Sequence, residues 1–168
     1  TKDLDITMFW NPAFIDSLTR DQIKGLLKHE SMHLALEHTT SRRMDPHIVH
    51  NYATDLAINS DIPEVELPDG GLIPGKAFKE LTDEQINRMG PEAVDRYNRI
   101  SAKIESFPKH ESSEWYFARI LEDQELSDDI QKQGEGEGSP MDCHEGWGEN
   151  MTDEEKELVK AKIKQAVS

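Results

Sequence analysis

One cysteine, Cys143, stands in 168 residues, so no disulfide can close within the chain, which fits a reducing compartment. Cations are also scarce: 19 Lys and Arg face 34 Asp and Glu, for a formal net charge of -15. Phosphate binding needs clustered basic side chains, and their absence excludes nucleic acid as a partner and disfavours anionic membrane surfaces. Long apolar runs are missing too. The opening "TKDLDITMFW" lacks the charged and apolar regions of a secretory signal, and no stretch nears the roughly 20 apolar residues that cross a bilayer. These absences predict a soluble, cytoplasmic protein, and nothing in the sequence points to an oligomer. The length predicts one domain over residues 1–168.

What is present reads mainly as helix. "LDITMF", residues 4–9, mixes β-branched and aromatic residues and predicts a short strand before the Asn11-Pro12 turn, with a short helix over 13–18 after it. Thr19 or Asp21 can cap a helix over 22–38 that is apolar on most sides and therefore buried. Asp45-Pro46 opens a third helix, which ends at Ser60 before Pro63. "VELPDGGLIPG", residues 65–75, predicts a turn-rich connection with room for a hairpin. Two helices broken at Gly90-Pro91 follow, then one from Ser112 or Ser113 to Leu121. Residues 122–142 are acidic, Gly-rich and poor in apolar side chains, which predicts a mobile loop. Thr152 and Glu155 form a capping-box pattern opening a terminal helix over 152–167.

"KHESMHLALEH", residues 28–38, carries the chemistry. Residues four apart share a helix face, so His29 and His33 can present two imidazoles to one Zn2+ ion. Glu30 follows the first ligand directly, where its carboxylate can take a proton from a water whose pKa the metal lowers to about 7. A helix with solvated or core-satisfied histidines is the competing explanation. Burying two histidines and a glutamate among apolar residues without compensation is costly, which favours the metal. A catalytic zinc usually has three protein ligands. His38 is badly aimed for the same ion on a regular helix. The next helix is a better source, because Asn51, Asp55 and Asn59 recur every four positions on an otherwise apolar segment, and such a stripe needs a partner. If the "TTSRRMD" connection folds this helix back, Asp55 faces His29 and His33, while Asn51 and Asn59 hold ligands or backbone around them; ordinary capping or packing is the alternative for the two asparagines.

Six stretches, "NPAFIDSL", "LLKHESMHLALEH", "ATDLAIN", "LPDGGLIP", "SSEWYFARI" and "CHEGWG", lie in this order over residues 11–148. Together they resemble the signatures of the metallopeptidases associated with von Willebrand A domains, which have relatives in phages and bacteria. The resemblance implies a zincin-like fold, zinc on His29 and His33 with Asp55 as third ligand, and Glu30 as catalytic base. It also points to His144, since Asp142-Cys143-His144 stands where the family resembles Asp-Asp-His. The chain departs from the pattern in three ways: no A domain reads in these residues, residues 79–111 look like an insertion, and Cys143 replaces an acidic residue. His144, flanked by glycine, could steady the oxyanion of a tetrahedral intermediate, or be a surface loop histidine. Cys143 is either a plain thiol or a ligand that silences the zinc. His47, His50 and His110 read as surface or packing residues, and Tyr52 and Tyr116 as core residues with satisfied hydroxyls.

The expected fold is α+β and mainly helical, of zincin type, with a small N-terminal sheet whose edge would accept a substrate strand. The expected function is zinc-dependent hydrolysis of a peptide or protein substrate. The alternative is a catalytically silent, zinc-stabilised binding or inhibitory protein that docks a basic partner on its acidic surface.

Overall fold

The computed structural model of the chain describes residues 7–134 and 152–166. The described residues form eight α-helices: α1 (Pro12–Ser17), α2 (Arg20–Ala35), α3 (His47–Asn59), α4 (Asp83–Met89), α5 (Pro91–Glu105), α6 (Ser113–Glu122), α7 (Gln124–Gly134) and α8 (Asp153–Ala166). The predicted α+β class is therefore corrected, because the described residues contain no strand and no sheet. Of the predicted strand, residues 4–6 lie outside the described range, and the rest runs as unpaired coil with Phe9 and Trp10 exposed. A β-branched, aromatic run becomes a strand only beside a partner that takes up its backbone groups. The stretch that could have supplied one, residues 65–75, forms a 3-10 turn over Glu64–Glu66 and further turns, with Gly70 and Gly75 at φ 90° and 77°. No sheet edge exists among these residues for a substrate strand to join.

Local signals set the helix starts. Thr19 caps α2 and exchanges hydrogen bonds with Gln22 in a complete capping box; Thr82 with Gln85 and Thr152 with Glu155 do the same for α4 and α8. Helix α3 is the centre, with ten of its thirteen residues buried, as expected of a helix apolar on most sides. One face joins Val49, Tyr52, Ala53 and Leu56 to Ile100 and Ile104 of α5, Tyr116 and Ile120 of α6, and Leu126 and Ile130 of α7. Ile58 joins Ile62, Leu67 and Ile73 in a second cluster, against which Met32 and Leu36 pack. Both tyrosines belong to the first cluster, and Tyr116 donates its hydroxyl to the Pro108 carbonyl at 2.7 Å.

Helix α7 occupies part of the range read as a mobile loop. Its buried apolar residues are Leu126 and Ile130, four apart, which form a narrow stripe hidden by an acidic composition. Asp123 accepts from the Leu126 N–H at its start, and buried Asp129 takes a bidentate pair from Arg99 at 2.8 Å.

Helix α2 is held by a close backbone approach. A Cβ on Gly25 would sit 1.9 Å from the Glu66 carbonyl oxygen, so only glycine lets the helix lie on the 3-10 turn there. The Glu66 carboxylate reaches back to Lys24 and Lys28 on either side of that contact.

Candidate metal centre

Helix α2 places His29 and His33 one turn apart, and α3 folds back on it so that Asp55 meets both. The Nε2 atoms of His29 and His33 lie 2.9 Å apart. Asp55 Oδ1 is 3.5 Å from the first and 3.2 Å from the second. Exposure is 8% at His29, 0% at His33 and 6% at Asp55. Four-coordinate zinc with bonds of 2.0–2.1 Å sets neighbouring ligand atoms about 3.3 Å apart, so the triangle has the size of one face of such a site. These three residues form a buried group that could hold a metal ion.

The partners of the rings decide which nitrogen faces the centre. Asn59 donates its amide to the Leu72 carbonyl at 2.8 Å, which leaves its Oδ1 to accept from His29 Nδ1 at 2.9 Å. In the neutral ring the proton of His29 therefore sits on Nδ1, and the Nε2 lone pair is the one left for an ion. Asn59 thus meets one of the two histidines, whereas Asn51 is a buried residue whose Oδ1 finds no partner among the described residues.

The electrostatics call for a cation. Burial opposes charge on His29, but the hydrogen bond and charge of Asp55, with the Glu30 charge and the Asn59 contact, outweigh it and raise the imidazole to about 9. Glu30 is half-buried, and its charge acts on the centre through this effect.

His50 is a buried packing residue, and His38 is buried beside His33. Helix α2 stops at Ala35 instead of running to 38. Glu37 takes φ 60° and donates its N–H to the Leu34 carbonyl at 3.1 Å, while the His38 N–H reaches the His33 carbonyl at 3.0 Å. These two bonds are a Schellman turn. It swings His38 back until its Nδ1 lies 3.3 Å from Nδ1 of His33. His50 of α3 donates Nε2–H to the His38 carbonyl at 3.1 Å, and His47 stacks on His50. His110 is an exposed partner of Asp61. Cys143 and His144 lie outside the described residues.

Burial, joined by repulsion from the neighbouring His33 and Arg42, pushes His38 down to about 3. Burial also takes His50 down to about 4, although its bond to the His38 carbonyl works the other way. Rings held neutral below the unfolded value of about 6.5 make the unfolded state bind more protons as pH falls, so stability drops. His29 has the opposite sign in metal-free protein: its contribution is full below about 6.5 and is lost as pH rises through about 9. From pH 7 to 5 the two neutral rings cost about 2 kcal/mol each, and His29 returns under about 1, for a net loss of about 3 kcal/mol. From pH 7 to 9 the weakening of His29 costs about 2 kcal/mol. Urea unfolding of chelator-treated protein should therefore show greatest stability near pH 7 and less at pH 5 and 9; equal stability at the three values would contradict these assignments.

No helix among the described residues is long and apolar enough to cross a membrane. No curated protein and no solved structure matches the chain. One protein family does, over residues 1–168, and its description is "Putative metallopeptidase domain". The match spans the whole chain, so the protein belongs to that family.

Proposed function

We propose that the protein is a zinc-dependent peptidase in which His29, His33 and Asp55 hold the ion and Glu30 is the general base. The observation that carries this reading is the buried triangle of two imidazole nitrogens and one carboxylate oxygen, 2.9–3.5 Å apart, in a centre whose charges favour a cation. Bound zinc would lower the pKa of a water to about 7 and polarise the carbonyl of the scissile peptide bond.

The chain's own residues divide the remaining work. Asn59 fixes the His29 ring through Nδ1 and ties it to the Leu72 backbone, so the ligand is oriented before the ion arrives. Glu30 takes a proton from the attacking water and returns it to the leaving amine, which would otherwise depart as an unstable anion. His144 is assigned to the oxyanion on sequence grounds alone.

A digest of a degenerate peptide mixture, read by mass spectrometry, tests the reading. Zinc-loaded protein should generate new termini, chelator-stripped protein should not, and added zinc should restore the cleavage. Cleavage that persists undiminished after stripping would contradict it.

A further inference from the structure

We infer that His38 is a positioning residue for the metal centre, accepting the Nδ1 proton of His33 so that the ring is held with Nε2 toward the ion. The inference rests on the zinc reading above and adds a residue to it.

Three observations converge on His38. The first is the contact itself. His33 has its Nε2 committed to the triangle with His29 and Asp55, so in the metal-loaded protein its proton sits on Nδ1, and the acceptor it meets there is Nδ1 of His38 at 3.3 Å. The second is the backbone that delivers the ring. The Schellman turn ties the His38 N–H to the carbonyl of His33, the very residue its side chain addresses, and His50 anchors the His38 carbonyl from α3. Two main-chain bonds therefore fix the ring that faces the ligand.

The third is the strain that the arrangement tolerates. The left-handed position of a Schellman turn is usually glycine, and a side chain there costs about 1 kcal/mol. Here it is Glu37, at φ 60°, and its carboxylate is secured by Ser41 and by Lys160 of α8. Arg42 ties down the chain beyond, reaching the Leu36 carbonyl at 3.3 Å and the Glu114 carboxylate at 2.6–2.8 Å. The turn is over-determined from both sides, which is how a strained backbone persists where it positions a functional group.

The two zinc-facing imidazoles are then oriented by different means. His29 gives its Nδ1 proton to an asparagine on the facing helix, and His33 gives its own to a histidine just past the end of its own helix. His38 uses Nδ1 as the acceptor, so its remaining proton sits on Nε2, an atom with no partner among the described residues.

The test separates the acceptor from the ring. Zinc affinity is measured by competition with a chromophoric chelator for the parent, His38→Phe and His38→Asn. The Phe variant keeps the flat ring without an acceptor and should lose about 10–100-fold in affinity, whereas the Asn variant places an amide oxygen near the original Nδ1 and should stay within about threefold. Cobalt-loaded His38→Phe should also show a shifted d–d spectrum, while cobalt-loaded Asn should match the parent. If the Phe variant does not fold, long-range proton–nitrogen correlation spectra of the zinc-loaded parent decide instead. A His33 Nδ1–H that shows coupling across the hydrogen bond to Nδ1 of His38 supports the inference, and a His33 Nδ1–H without that coupling overturns it. Parent-like affinity in a folded Phe variant overturns the role of His38 alone; absence of zinc binding in the parent overturns the metal reading and this inference with it.

Discussion

Glu30→Gln should lower peptide hydrolysis by about 10²–10⁴-fold, the usual contribution of a positioned general base, while zinc content stays at the parent level. Glutamine has nearly the shape of glutamate and none of its basicity, so the attacking water loses its proton acceptor and little else changes. The loss should fall on kcat, with KM close to the parent value, because the carboxylate acts on the water and not on the ground-state complex. A second signature accompanies it. The Glu30 charge helps raise the His29 imidazole, so in metal-free Glu30→Gln the His29 pKa should fall from about 9, a change that histidine proton shifts would read directly. Parent-like hydrolysis in a clean sample would remove Glu30 from the mechanism. Zinc-loaded parent without any peptidase activity would favour the silent binding scaffold.

Asp55→Ala should be the most damaging change to the metal centre. It removes one of the three converging ligand atoms and the anion that offsets the cation's charge in a buried site. Loss of an outer partner of a ligand costs about 10–100-fold in metal affinity, and loss of the ligand itself should exceed that. The two Nε2 atoms left behind, 2.9 Å apart, would hold the ion at only two corners. Asp55→Asn keeps the side-chain volume and removes the charge, so a deficit as large as that of Asp55→Ala would assign the effect to charge rather than to a void. Chelator competition measures both, and affinity within threefold of the parent in Asp55→Ala would exclude Asp55 as a ligand.

The candidate centre was legible because its signals are local. His29 and His33 need only a regular helix to share a face, and Asp55 and Asn59 need only a second one folded back on it. Thr19, Thr82 and Thr152 announced helix starts through side-chain oxygens that bond within one turn. The errors came where local pattern depends on a distant partner. Residues 4–9 look like a strand, but no neighbouring strand takes up the described part of them. Helix α7 rests on Leu126 and Ile130 alone, too few to outweigh the acidic residues around them until the surface they cover is known. His38 stands outside the triangle, as its spacing implies, but its contact with His33 has no sequence signal because the helix that would aim the ring ends at Ala35. The run Thr39-Thr40-Ser41 is a poor helix former and signals an ending, but a glutamate in left-handed conformation at position 37 has no sequence mark.

The central claim is that this protein binds zinc through the buried triangle, and the most direct measurement is metal content by elemental mass spectrometry on untagged protein purified without chelator. About one zinc per chain, lost on Asp55→Ala, is the result predicted for a three-ligand site. A parent that carries no zinc and takes none up on dialysis would contradict the account and leave "KHESMHLALEH" as a helix end with three buried histidines.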